Sequence, residues 1–322
     1  MARFILRRML WLLPTLIIIT FVVYVACRIG WNPEASYLRA NPRASAKKLQ
    51  EFRDINGLYP GFGGYLRGYR EWLWNFVRGP SHWPRSIRGG EVWEPLRYTF
   101  FNTLRLAGIA TVVGIGFGVS VGILAGRKPG GWLDTMLNTV AFFVGAVPPF
   151  VSGVIMQLAF AVSLGWLPPA GVYSAGHQGF DLFLMIKHLT LPVMVVAVQT
   201  IAQYARYTRA SMLDVSSADY LRTARAKGIP ERQVLVKHNV RNAMLPVVTV
   251  LGLDFGQLIG GLIITENIFE YPGMGVYFIN SALAGDFPKL LPFLVLITIS
   301  VILFNLIADV MYAVLDPRIR LA

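Results

Sequence analysis

Asp254 stands near the middle of an apolar run, "VLGLDFGQLIGG", where a carboxylate costs a few kcal/mol unless it meets water or a polar partner. Two chemistries fit it: pairing with a polar side chain of a neighbouring helix, or lining a path for a solute. The residue alone leaves both open. Gln157, Gln199, Gln203, Gln257 and Asn305 are weaker pathway candidates of the same type, because an amide can bond a neighbouring helix without touching any substrate.

The other reactive residue types form no site. Gly118-Val-Ser120-Val-Gly122 has the spacing of a serine-nucleophile turn, but it lies inside an uncharged apolar run with no aspartate or histidine beside it. His82, His177, His188 and His238 are scattered without metal-ligand spacing. Cys27 is the sole cysteine and has no internal disulfide partner. No G-x-x-x-x-G-K-[ST] loop occurs, so the chain cannot cradle a nucleotide in the P-loop manner. The expectation is therefore no catalytic residue, no metal and no cofactor bound by this chain. A membrane-embedded enzyme lacks its nucleophile, base or metal cluster.

The elements that must position these residues are apolar helices. The 322 residues are 55% hydrophobic with mean hydropathy +0.53 and net charge +13, which excludes an ordinary soluble domain and a disordered chain. Without a basic-aromatic module the charge does not indicate nucleic acid; it indicates loops beside anionic lipid headgroups. A bilayer core takes about 20 apolar residues per helix. Six stretches qualify, roughly 9–27, 106–125, 136–164, 188–205, 243–265 and 290–308. Pro148-Pro149 removes backbone donors from the third and should kink or interrupt it.

If the N-terminus is inside, the inner segments hold fifteen Lys and Arg and the two short outer loops only Lys187 and Lys289. Both termini are thereby expected in the cytoplasm. The basic segment 28–97 is too long for this rule to govern. It carries tryptophans at 31, 72, 74, 83 and 93 and an amphipathic pattern in "GGYLRGYREWLWNFVRG", fitting an interfacial layer on the outer face or a docking surface. The first run is longer than the apolar region of a signal peptide and reads as a span.

Gly114, Gly118, Gly122 and Gly126 share one helix face, as do Gly252, Gly256 and Gly260. Such stripes let another backbone approach closely, from this chain or from a partner.

Between the fourth and fifth runs lies "DYLRTARAKGIPERQVLVKHNVRNAMLP". Ser216 or Ser217 can cap a helix with Asp219 in its first turn, and Gly228 and Pro230 end it after about ten residues. Leu221 and Tyr220 offer apolar anchors, while Ala218, Ala224 and Ala226 leave room for close contact. Docking into a groove of a soluble partner and resting at the headgroups both fit these residues.

This stretch resembles the cytoplasmic signature loop of permease subunits of dipeptide- and oligopeptide-type ABC importers. "FILRRMLWLLPTL", "GLIITENIFEYPGMGVYFINSALAGDFP" and "LIADVMYAVLDPRIR" resemble the same branch. The resemblance implies a coupling helix, formed by Tyr220, Leu221, Arg222, Thr223, Ala224, Arg225, Ala226, Lys227 and Gly228, that docks in a cleft of an ATPase subunit. Arg222 stands where the wider family has glutamate, as peptide-type members commonly do. Pro80 stands where related chains usually have the aspartate of a Gly-Asp-x-Gly element.

The implied partners are a homologous second permease, two ATP-binding cassette ATPases that carry ATP and Mg, an extracytoplasmic substrate-binding protein and membrane lipid. The implied location is a bacterial or archaeal cytoplasmic membrane. The expected fold is all-α with six transmembrane helices. The expected divisions are a first span at 1–28, an extracytoplasmic segment at 29–97, a five-helix core at 98–313 with the coupling loop at 213–242, and a tail at 314–322. The rival is an ion-coupled secondary transporter using Asp254, for which paired inverted repeats are missing.

Overall fold

A computed structural model describes residues 2–173 and 179–315, with helical backbone alone at 2–9, 11, 249, 252–253, 255–261, 308–309 and 311–315. The described residues form helices and the loops between them, with no strand among them. The helices are α1 (Ala2–Gly30), α2 (Pro33–Ala40), α3 (Ala46–Ile55), α4 (Gly61–Arg78), α5 (Trp93–Gly126), α6 (Trp132–Ala146), α7 (Pro149–Met156), α8 (Leu182–Ser216), α9 (Asp219–Ala226), α10 (Glu231–Gln233), α11 (Arg241–Gly261), α12 (Ile263–Ile268), α13 (Met274–Ala284) and α14 (Phe287–Leu315). Widened π turns follow α7 at Gln157–Ser163 and α10 at Val234–Val240.

Four stretches are long and apolar enough to cross a bilayer: Leu12–Gly30, Trp93–Gly126, Leu182–Ser216 and Phe287–Ile307. A fifth is the pair α6 and α7 with its π continuation, bent by 98° at the break. The interruption expected at Pro148-Pro149 is thus a sharp corner. The fifth expected run corresponds to α11; the side chains of Gly252, Gly256, Gln257 and Gly260 on it lie outside the described residues. Helices α5 and α8, with 34 and 35 residues, extend about 50 Å, well past a hydrocarbon core of about 30 Å. The expected limits at 106 and 205 therefore mark where apolar sequence ends, not where the helices end.

The chain divides into two compact units. One comprises Ala2–Thr103 with Pro272–Leu303. Its core is aromatic: Tyr24 of α1, Phe52 of α3, Tyr69 and Trp72 of α4, and Phe287 and Leu291 of α14 are buried together. The Thr20 and Tyr69 hydroxyls lie 2.7 Å apart, and the Tyr24 hydroxyl donates to the Gly57 carbonyl at 3.1 Å. The amphipathic stretch expected in the outer segment is α4, which turns Tyr69 and Trp72 inward.

The other unit comprises Leu104–Tyr271 with the residues from Phe304 onward. Its axis is α8, against which α6, α7, α11 and α12 pack. The glycine stripe of α5 meets a ridge of α8 from the same chain. A Cβ on Gly114 would lie 2.6 Å from Thr200 Cβ, one on Gly118 2.9 Å from Tyr204 Cβ, and one on Gly122 2.6 Å from both Thr208 Cβ and the Ala205 carbonyl oxygen. Gly126 faces Met212 Cβ at 2.8 Å in the same sense. Each distance is below any real Cβ contact, so α5 and α8 can be this close only because those four residues lack side chains.

Candidate functional site

Helix α8 ends at Ser216, and after two intervening residues α9 begins at Asp219. The serine cap expected there does not form. Ser216 and Ser217 hydroxyls donate back to the Leu213 and Asp214 carbonyls at 2.7 and 2.9 Å, which spends them on the last turn of α8. Ala218 is the N-cap of α9, without a side-chain bond. The C-terminal end is tightly built: Gly228 N–H donates to Arg225 O at 2.9 Å and Ile229 N–H to Ala224 O at 3.3 Å, the paired bonds of a Schellman motif. Gly228 has φ +71°, a backbone setting that glycine takes without strain.

The α9 face is the reverse of what its apolar residues suggest. Leu221 is fully buried and Ala224 nearly so, packed with Val234 and against Val215 and Ile229 of this chain. They hold α9 to its own loop and are not free anchors. The exposed residues are Asp219, Tyr220, Arg222, Thr223, Arg225, Ala226, Lys227 and Gly228, with Asp219 3.6 Å from the Arg222 guanidinium. Arg225 forks onto Glu231 at 3.1 and 3.0 Å, and this hydrogen bonding holds the Glu231 carboxyl below its ordinary range. Asn242 donates to the Tyr220 hydroxyl at 3.1 Å. The product is a short rigid knob with a basic outer face, joined directly to a helix of 35 residues.

A second feature is a cleft of about 390 Å³ at the corner between α6 and α7. Gln199, Ala202, Gln203, Arg206 and Tyr207 of α8 form one wall, and the residues from Val144 to Pro149 form the other. Gln203 also donates to Asp254 Oδ2 at 2.8 Å, and the Tyr204 hydroxyl donates to the same oxygen at 3.0 Å. Of the two chemistries open to Asp254, the structure shows the interhelical pairing. Gln157 donates to the Pro169 carbonyl at 2.9 Å, a bond that ties the π segment to the following loop. Ser120 of the discarded nucleophile pattern donates to Gly116 O at 2.7 Å inside α5.

A family model for the binding-protein-dependent transport system inner membrane component matches residues 118–321. The chain belongs to this family. Over 99% of its length it is 37% identical to the oligopeptide transport system permease protein AppB of Bacillus subtilis, covering all of that protein. It is 36% identical to the glutathione transport system permease protein GsiC of Escherichia coli K12, with 99% of each chain covered. The solved methionine ABC transporter MetNI matches in fold with a TM-score of 0.56 and 18% identity, over 69% of this chain and 96% of that one. An amino acid ABC transporter matches with a TM-score of 0.51 and 13% identity over 68% and 92%. The chain is thus an inner-membrane permease subunit of an ABC importer.

Within the permease, the structure brings together Gln199 and Gln203 at the cleft and joins Asp254 to Gln203. It leaves Gln157 apart and keeps the α9 residues on a separate surface. Sequence reasoning missed the strongest polar link in this unit. Asp134 of α6, almost fully buried, receives two bonds from the Arg209 guanidinium of α8, the second at 2.8 Å. It also accepts from Gly130 N–H and Asn138 Nδ2, each at 2.9 Å. A fully bonded carboxylate tolerates burial that an isolated one does not. The signal available was an acid at the start of one apolar run with an unpaired arginine just past the end of another.

Proposed function

We propose that the permease carries peptides inward as half of a two-permease pathway, driven by two ATPases, one of which docks on α9. The observation that carries the cargo assignment is the full-length similarity to a permease named for oligopeptide transport. A second relative is named for glutathione, itself a short peptide. In this reading ATP and Mg belong to the partner ATPases, which the importer family implies, and an extracytoplasmic binding protein delivers the cargo. The topology that goes with this reading has six spans, both termini in the cytoplasm, an extracytoplasmic segment at 29–97, a core at 98–313 and a tail at 314–322.

Coupling follows from the construction of the α8–α9 joint. Closure of the ATPases on nucleotide would move α9, and because Leu221 and Ala224 are packed into its own loop, α9 would move with the end of α8. Helix α8 carries the cleft wall, so the same motion would change access to the cleft. Against the ion-coupled alternative stands membership of the binding-protein-dependent importer family, and the bonds from Gln203 and Tyr204 give Asp254 a structural role that needs no ion.

The test is uptake by the purified importer, reconstituted with its binding protein and supplied with ATP inside or withheld. ATP-dependent accumulation of labelled tri-alanine supports the reading. Accumulation driven by an ion gradient without ATP, or no accumulation of peptides of two to five residues, refutes it.

A further inference from the structure

The chemistry of the corner cleft goes beyond a wet gap. Pro148 and Pro149 have no N–H, so the carbonyls of Val144 and Gly145 lose the donors that a continuous helix would give them. Both residues line the cleft. They lie at the C-terminal end of α6, the negative end of its dipole. Facing them are two amides, Gln199 and Gln203, and the guanidinium of Arg206. Arg206 is exposed and has no carboxylate partner among the described residues.

Acceptors without helical donors on one wall and an unpaired cation on the other suit a ligand with a positive and a negative end. A broken span that presents backbone carbonyls and a helix end to a cavity is a recurrent way to hold charged solutes inside a membrane protein. The cleft volume of about 390 Å³ lies in the range of small-molecule sites. Its polar groups match the two charged ends and the amide groups of a peptide backbone, with apolar surface from Val147, the two prolines and Tyr207 beside them.

Resting on the peptide-import reading, we propose that this cleft binds the charged termini of a short peptide: the α-ammonium at the Val144 and Gly145 carbonyls and the α-carboxylate at Arg206. Gln199 and Gln203 would bond the intervening peptide groups. Side chains would project away from these contacts, which gives the permease recognition of a zwitterionic backbone with little sequence preference.

The test measures equilibrium binding of labelled tri-alanine, tri-alaninamide and N-acetyl-tri-alanine to the whole nucleotide-free importer in detergent. Amidation should weaken binding about tenfold, the loss of one charge-assisted contact. Arg206→Gln should weaken tri-alanine equally and leave tri-alaninamide unaffected, and Arg206→Lys should restore part of the difference. Acetylation should also weaken binding to wild type. Pro148→Ala with Pro149→Ala, which returns the missing N–H groups, should abolish discrimination between tri-alanine and its N-acetyl form. Equal, additive losses from Arg206→Gln and amidation, or no binding of any probe, would overturn the site. Uptake of tri-alanine by the wild-type importer, measured in parallel, separates failure of this site from failure of peptide import itself.

Discussion

Placing a methyl group on Gly122 should loosen the α5–α8 contact that positions the whole ridge from Thr200 to Met212. The added Cβ would sit 2.6 Å from the Ala205 carbonyl oxygen and from Thr208 Cβ. Ordinary contact begins at 3.4 Å, so the helices must part by about 0.8 Å. One of the two obstructing atoms is backbone and cannot turn aside. A gap of that size forfeits roughly a quarter to a half of the dispersion energy along the neighbouring contacts, and overpacking typically costs about 1–3 kcal/mol. Alanine recovers about 1 kcal/mol of helix propensity relative to glycine. Gly116, on another face of α5, has open space around its Cβ position and receives the propensity gain without the clash. Gly116→Ala should therefore match or exceed wild type in thermal unfolding in detergent, while Gly122→Ala should be less stable than Gly116→Ala by about 1–3 kcal/mol. Equal stabilities for the two variants would refute the close α5–α8 approach.

Three further outcomes follow from individual contacts. Asp134→Ala leaves Arg209 without its carboxylate and should cost about 3 kcal/mol, the lower end of the range for broken buried pairs because Arg209 keeps a quarter of its exposure; a thermal transition within about 0.5 kcal/mol of wild type would contradict it. Gly228→Glu should leave the permease in the membrane with its partner permease but lose ATP-driven uptake; the residue has room for a side chain, so the cost is about 1–2 kcal/mol of left-handed strain together with a new charge beside a basic face, and Gly228→Asn should retain more uptake. Asp254→Asn weakens two hydrogen bonds from α8 and should lower stability by about 1–3 kcal/mol with transport reduced in proportion; unchanged stability with altered transport would return Asp254 to the pathway.

The sequence made some of these features visible and hid others for identifiable reasons. Pro148-Pro149 announces a break because the missing N–H groups are a property of the residues themselves, whereas the 98° angle depends on what α8 presents to the corner. The four-residue spacing of Gly114 to Gly126 announces close packing but not its partner, because a face without side chains carries no information about what fills it. Gly228 is legible as a helix end from its own stereochemistry. Leu221 is misleading, since its exposure depends on Val234 thirteen positions later folding back over it. Asp134 and Arg209 are 75 positions apart, and no local pattern links them. The serine cap fails because Ser216 and Ser217 have carbonyls within reach in the preceding turn.

The central claim is that α9 docks on an ATPase subunit and passes the closure of the ATPases to α8. Purification of the tagged permease in mild detergent, with the stoichiometry of every co-purifying protein measured by mass spectrometry, tests it most directly. The account predicts one homologous permease and two ATPase copies, with the ATPases lost and the second permease kept in Gly228→Glu. Recovery of the permease alone or as a homo-oligomer, or full retention of ATPases in that variant, would contradict it.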